Sequence, residues 1–186
     1  DRPDILYRND GDGTFSDVSK TSGIAAAAYS AMGVVVDDFD DDGWPDIYVA
    51  NDADPNLLWL NRRDGTFDDA ATLLGAAVNA RGDPEAGMGL AADDLDGNGA
   101  VDLFVTHLNR EKNTFYRSLG AGRGFVDASA EAGLAVTSLP FTGFGTATFD
   151  LELDGDLDLI VANGRVNSDL PPIPGAVPAP PWDVLA

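Results

Sequence analysis

One acidic motif recurs three times at a fixed interval of 56 residues. It reads Asp38-Phe-Asp40-Asp-Asp42-Gly43-Trp44-Pro-Asp46, then Asp94-Leu-Asp96-Gly-Asn98-Gly99-Ala100-Val-Asp102, then Asp150-Leu-Glu152-Leu-Asp154-Gly155-Asp156-Leu-Asp158. A fixed period marks a unit built at least three times, and a repeat protein buries its core between neighbouring units. That constraint outweighs the single-core expectation for a chain of 186 residues.

The sequence around the loops repeats as well. Met32-Gly33-Val-Val-Val-Asp-Asp38 aligns with Met88-Gly89-Leu-Ala-Ala-Asp-Asp94 and with Phe144-Gly145-Thr-Ala-Thr-Phe-Asp150. Each loop is followed by a short apolar run: Ile47–Ala50, Leu103–Thr106 and Leu159–Ala162. Runs this short, β-branched and bounded by turn residues, read as strands. A second strand pair follows, Asn56–Asn61 with Thr66–Asp68, and Asn113–Arg117 with Gly124–Asp127. The N-terminus repeats that second pair, Ile5–Asn9 and Thr14-Phe15, around the turn Asp10-Gly11-Asp12-Gly13. Four short strands per unit make a propeller blade. The expected fold is all-β: a partial β-propeller of about three four-stranded blades in an open arc, a fragment of a larger ring. The units divide at 1–31 (the last half of a blade), 32–87 and 88–143 (complete blades), 144–170 (the first half of a blade) and 171–186 (a Pro-rich tail or linker, expected to be disordered). Gly33, Gly89 and Gly145 recur at one place, which predicts close backbone approach near the propeller axis.

The loops carry the chemistry. Ca²⁺ takes six to eight oxygens, and closely spaced carboxylates followed by a turn glycine supply them. In the first loop the side chains of Asp38, Asp40, Asp42 and Asp46 are the expected donors, with the Trp44 carbonyl. In the second they are Asp94, Asp96, Asn98 and Asp102, with the Ala100 carbonyl. In the third they are Asp150, Glu152, Asp154 and Asp158, with the Asp156 carbonyl. About three Ca²⁺ ions are implied. Asn98 removes one negative charge from the middle loop, and the longer Glu152 is expected to distort or open the third. An EF-hand shares the opening of the motif but needs a Glu at the twelfth position. Val49, Val105 and Val161 stand there, each within a strand run.

Net charge is −21, from 32 acidic and 11 basic residues. That balance argues against nucleic-acid binding, which requires a basic face. There is no cysteine and one histidine, His107, read as a polar strand cap. No nucleophile–base pair is suggested. No apolar run reaches the length of a membrane span. No signal peptide is visible, and the start of the protein is expected to lie upstream of Asp1. Trp44, Trp59 and Tyr116 read as blade-packing residues. Arg81-Gly82-Asp83 spells an integrin-recognised tripeptide, a sequence that arises by chance in a chain rich in Asp and Gly, and it falls in an exposed linker.

With the Phe144-Gly145 and Met-Gly strands leading into Asp-rich loops, the chain resembles the FG-GAP/VCBS repeat family, whose calcium-loop blades also occur in integrin α-subunit propellers. Leu6-Tyr7-Arg8-Asn9-Asp-Gly-Asp-Gly-Thr-Phe15 and Ala162-Asn163-Gly164-Arg165-Val166 more closely resemble ASPIC/UnbV-type bacterial proteins and their cartilage acidic protein relatives. The resemblance spans residues 4–167. It implies a propeller of about seven blades, an exported bacterial protein at the cell surface, in the periplasm or outside the cell, and a non-catalytic role in binding a protein or glycan. The remaining blades of a longer chain are implied partners. The alternative is the propeller portion of a secreted enzyme such as a polysaccharide lyase or phospholipase.

Overall fold

The computed structural model describes residues 2–166, so the Pro-rich tail lies outside the described residues. From the N-terminus, β1 (Arg2–Pro3) precedes a hairpin of β2 (Tyr7–Asn9) and β3 (Phe15–Asp17). A one-turn helix α1 (Ser19–Ser22) leads to β4 (Ala28–Tyr29), which pairs back onto β1. Strands β5 (Ala31–Asp37), β6 (Asp46–Asn51), β7 (Leu57–Asn61) and β8 (Phe67–Asp69) form one antiparallel sheet in sequence order, followed by α2 (Ala71–Leu74). Strands β9 (Leu90–Asp93), β10 (Asp102–Val105), β11 (Thr114–Ser118) and β12 (Phe125–Asp127) form a second, followed by α3 (Leu134–Thr137). The last pair, β13 (Thr142–Phe149) and β14 (Asp158–Gly164), forms a two-stranded sheet. The fold is thus mostly β, a partial open propeller of small antiparallel sheets.

The register repeats with the sequence. Ile47 pairs with Trp59 as Leu103 pairs with Tyr116, and Trp59 pairs with Asp69 as Tyr116 pairs with Asp127. The second strand of each four-stranded sheet is covered on both faces, so β10 is buried at all four positions. This is why its sequence is a continuous apolar run instead of an alternation. Tyr48, Ala50 and Leu58 of one sheet join Leu103, Val105, Tyr116 and Phe125 of the next in a single core. Burial of each large side chain contributes about 1.5–3 kcal/mol. Tyr48 keeps its hydroxyl satisfied by donating to the Ala76 carbonyl at 2.7 Å.

Neighbouring sheets meet backbone to backbone at the predicted glycines. A Cβ on Gly33 would stand 2.4 Å from the Met88 carbonyl oxygen, and one on Gly89 would stand 1.9 Å from that of Phe144. Gly145 has no described sheet beyond it, and a Cβ there would meet only the Ala162 methyl at 4.0 Å. The glycine is therefore required where a next blade packs, not by strand geometry. Thr106 reinforces the same seam, accepting from the Gly89 amide at 2.8 Å and donating to the Phe144 carbonyl at 3.1 Å.

The sequence reading contained no helices. Each short helix follows an Asp that ends the fourth strand. The Asp17, Asp69 and Asp127 carboxylates accept from the amides of Ser19, Ala71 and Ser129 at 3.0–3.1 Å. Ser19 and Ser129 then accept the amides of Leu6, just ahead of β2, and of Phe115 on β11, both at 2.9 Å. Where Ala71 replaces the serine, Asp69 takes the equivalent Leu58 amide itself at 3.1 Å. Gly75, at φ 78°, closes α2 in the left-handed region and lies against the Phe125 carbonyl.

A polar cluster lies in the seam between the two complete sheets. Lys112 donates to Asp127 at 2.7 Å and to Thr114 and Ser129 at 3.2 Å, while Thr114 donates to Glu85 at 3.0 Å. His107 sits at a strand end, where its ring meets the Lys112 backbone; Nδ1 is buried with no hydrogen-bond partner, and Nε2 is 4.0 Å from Glu85. Burial, reinforced by the Lys112 charge, pushes its pKa down from 6.5 to about 3.

Two outcomes are expected. Gly89→Ala should destabilise the fold by about 3 kcal/mol through the forced overlap, whereas Gly145→Ala should stay within about 0.5 kcal/mol, both read from denaturant melts. His107 is protonated below pH 6.5 only in the unfolded chain, so its contribution to stability is fully present above that pH and is lost as pH falls. Between pH 7 and 5 the native chain should lose about 2 kcal/mol more than His107→Gln does, the remaining groups cancelling in the comparison. Equal losses in the two chains would refute the assignment.

Candidate metal centres

Each acidic loop joins the first two strands of its sheet, so all three occupy equivalent places in the fold. Their turns share one hydrogen-bond pattern. The first carboxylate accepts the amides of the fifth and sixth residues: Asp38 from Asp42 (2.9 Å) and Gly43 (2.7 Å), Asp94 from Asn98 (2.9 Å) and Gly99 (2.8 Å), Asp150 from Asp154 (3.1 Å) and Gly155 (2.9 Å). The fifth residue accepts from the seventh: Asp42 from Trp44, Asn98 from Ala100 and Asp154 from Asp156, at 2.8–3.1 Å. The ninth accepts from the second: Asp46 from Phe39, Asp102 from Leu95 and Asp158 from Leu151, again at 2.8–3.0 Å.

The ninth residue also ties the loop to the third strand. Asp46 accepts the Asn61 amide at 2.8 Å, and Asp102 accepts that of Ser118 at 2.7 Å. Both carboxylates are essentially buried, at 1% and 0% exposure. Burial raises both pKa values, that of Asp46 to about 6, and the nearby loop acids push in the same direction. Asp40 is raised as well, by desolvation first and then by the Asp42 charge.

The first two loops gather their carboxylates. One ligand atom from each of Asp38, Asp40 and Asp42 lies within 4.8 Å of the others, and the same holds for Asp94, Asp96 and Asp102. Such a set of hard anionic oxygens fits a hard divalent cation and offers nothing to a soft one. The structure does not bring Asp46 into the first cluster, where it serves the backbone. Asn98 stands beside the second, its amide nitrogen turned to the Ser118 carbonyl at 3.2 Å. The third loop keeps the turn pattern, but among the described residues Asp150, Glu152, Asp154 and Asp158 do not form such a cluster. Its whole span Leu151–Asp156 is exposed. Trp44, Ala100 and Asp156 occupy the seventh positions as expected.

Two features of the first site were not read from the sequence. The Arg63 guanidinium, on the turn between β7 and β8, grips Asp42 at 2.6 and 3.0 Å and holds its carboxyl below the usual range. Asp41, at φ 60°, reaches across to the Ala121 amide on the next sheet's outer turn. Both partners lie in turns whose only sequence signal was glycine. Trp44 corrects the packing expectation. It is 45% exposed on the loop surface, whereas Trp59 and Tyr116 are buried at 3% and 1% as expected. The loop turns it outward because its backbone is held into the Asp42 turn. Arg81-Gly82-Asp83 forms an exposed turn around Asn79, with Arg81 and Asp83 paired to each other at 3.2 Å.

Three overlapping matches to the FG-GAP-like repeat, at residues 1–49, 38–105 and 94–161, together span most of the chain. The chain belongs to the FG-GAP-like repeat family. It is also similar to cartilage acidic protein 1 of Xenopus tropicalis (28% identity over 180 residues), Mus musculus (28% over 172) and Homo sapiens (29% over 175). Each match covers 88% of this chain and 25% of the relative, so the chain spans about a quarter of the length of the relatives it matches. Consecutive FG-GAP-like matches overlap at 38–49 and 94–105, across an acidic loop and the strand that follows it, β6 or β10.

With Arg63 competing for Asp42, Arg63→Gln should tighten cation binding at the first loop and leave the second unchanged. Calorimetric titration with Ca²⁺ reads this directly; an unchanged first-site affinity would show that the guanidinium does not compete.

Proposed function

We propose that this chain is a calcium-stabilised, non-catalytic segment of an exported propeller that presents a surface to a protein or carbohydrate partner. The observation that carries this is the gathering of three carboxylates in each of two equivalent loops, within a family of propeller-forming repeats. Side chains of Asp38, Asp40, Asp42 and Asp46, with the Trp44 carbonyl, would hold the first ion. Asp94, Asp96, Asn98 and Asp102, with the Ala100 carbonyl, would hold the second. Asp150, Glu152, Asp154 and Asp158, with the Asp156 carbonyl, would complete a third and weaker site. The ion's role is to neutralise carboxylates that repel one another at neutral pH, and so to fix the two strands that each loop joins.

Export follows from the cation. Free calcium is high outside cells and low in cytosol, so sites of structural type suit an exterior compartment. Among the described residues no helix is long and apolar enough to cross a membrane. The relatives carry cartilage in their name, which supports the same direction for this chain. Among the described residues the Thr114 and Ser129 hydroxyls are engaged with Glu85, Lys112, Asp127 and the Phe115 amide inside the seam, a structural use that favours binding over catalysis. The remaining blades of a longer chain would provide part of the presented surface.

Calcium at about a hundred times its dissociation constant should raise stability by about 2.7 kcal/mol per site, and excess EGTA should reverse the rise. Asp46 gains its proton below about pH 6, so it is mostly ionised at pH 7, and at pH 5 a proton on it competes with the ion. Affinity should therefore fall between pH 7 and 5. A melting temperature unmoved by both calcium and EGTA would overturn the reading.

A further inference from the structure

The turn between β11 and β12 touches both of the loops whose acids are gathered. Residues 119–124 separate these strands, where 62–66 separate β7 from β8, so the turn of the second sheet is one residue longer. On its own side, Ser118 at the base of the turn donates its amide to Asp102 at 2.7 Å and accepts from the Asn98 side chain at 3.2 Å. A Cβ on Gly120 would stand 3.6 Å from the Ala100 methyl. Toward the first sheet, the Ala121 amide donates to the Asp41 carboxylate at 2.5 Å, and a Cβ on Gly122 would stand 3.3 Å from the Asp40 carbonyl oxygen. We propose that this turn couples the two loops, so that a divalent cation in either one raises the affinity of the other. The coupling rests on the reading of both loops as calcium sites.

Asp41 is the side chain that makes the link, and its counterparts could not. It stands between Asp40 and Asp42 but outside the gathered set, with its carboxylate turned to the neighbouring sheet. The second and third loops carry Gly97 and Leu153 at that position, neither of which offers a carboxylate. All three residues adopt a positive φ, 60°, 72° and 59°, so the backbone is shared and only the side chain differs. The first loop is anchored to the same neighbour through Phe39, whose ring meets Phe125 edge-on with 6.4 Å between centroids. Contact therefore runs along the loop from Phe39 to Asp41 and along the next sheet from Ala121 to Phe125.

The turn is also the part with conformational freedom to lose. Gly120, Ala121 and Gly122 hold consecutive positive φ values of 67°, 49° and 65°. Glycines populate many other conformations, so holding this one costs entropy. Arg123 closes the turn by donating to the Leu119 and Gly120 carbonyls. Unneutralised, the carboxylates of Asp38, Asp40 and Asp42 repel one another, and Asp41 shares in the resulting freedom of the loop. Neutralised, they fix Asp41, and Asp41 in turn holds Ala121 and the turn behind it. Ser118 is then already placed for Asp102 and Asn98. One ordering cost serves two sites, which is the condition for positive cooperativity without a large structural change. Linkage makes the effect reciprocal, so the second loop favours the first by the same factor. Repulsion between two bound cations opposes the coupling, but it is the same with or without the Asp41 carboxylate.

Calorimetric titration of this chain with Ca²⁺ tests the coupling. Asp96→Asn disables the second loop and Asp40→Asn the first, so each variant reports one loop alone. The coupling factor is the product of the two association constants in the native chain divided by the product of the two single-loop constants. Repeating the set on an Asp41→Gly background gives the factor without the link, and this substitution copies Gly97, so the loop backbone is kept. The third loop is the same in every chain and cancels between backgrounds. The native factor should exceed the Asp41→Gly factor by about fivefold or more. Arg63→Gln changes the first loop's own constant and should leave the factor where it was. In the Asp96→Asn chain Ca²⁺ should also slow hydrogen exchange at the Ala121 amide, and Asp41→Gly should abolish that protection. Calcium bound at both loops with equal factors on the two backgrounds overturns the coupling and leaves the calcium reading standing. No heat of binding at either loop overturns both.

Discussion

Everything in this arc depends on how closely consecutive inner strands approach. The Met88 and Phe144 carbonyls sit where the Cβ atoms of Gly33 and Gly89 would be. Only at that separation do Tyr48 and Ala50 reach Leu103 and Val105 to form one core. The same seam fixes the direction of each loop, because the loop is the turn between the two strands that make the contact. A larger residue at Gly33 or Gly89 would wedge the sheets apart at their narrowest point and uncover apolar surface along their whole length.

This seam also explains why the second strand of each sheet reads as it does. A strand covered on one face alternates, but β6 and β10 are covered on both, and their apolar residues are continuous. At the open ends the same positions lose a neighbour. Ile160, equivalent to the fully buried Tyr48, is then more than half exposed. Burial here belongs to the place in the array and not to the residue, which is how quasi-one-dimensional repeats differ from globular domains.

Much of this was legible before any coordinates. The 56-residue period located the strand pairs around each loop, the glycines marked the seam, and the turn chemistry of the loops followed from carboxylate spacing. The short helices were not legible, because a single turn carries no periodicity; α1 and α2 follow an Asp whose carboxylate accepts the amide of their first residue, whereas α3 begins five residues after Ser129, the partner of Asp127. Arg63 was not legible either, since its distance from Asp42 is set by a hairpin and not by the motif. Trp44 was misread because aromaticity alone suggests packing, while its backbone is committed to a surface turn. The third loop, which carries the longer Glu152, shows no gathered set of acids among the described residues.

The acids of each loop do two jobs, and Asp38, Asp94 and Asp102 do both, accepting backbone amides while standing in the gathered clusters. The first and ninth carboxylates bind backbone amides in every copy, and at the two complete sheets the ninth also fastens the third strand. These are structural hydrogen bonds to charged acceptors, stronger than neutral ones, and they shape the turn without any ion. The third and fifth positions vary instead: Asp40 and an arginine-gripped Asp42, then Asp96 and Asn98, then Glu152 and Asp154. Among the side-chain donor positions, variation at the third and fifth leaves the turn intact while changing charge and reach where oxygens would face a cation. The acidic loop is therefore a fixed structural turn carrying an adjustable ligand set, and differences in ion affinity between copies can arise without altering how the blades pack.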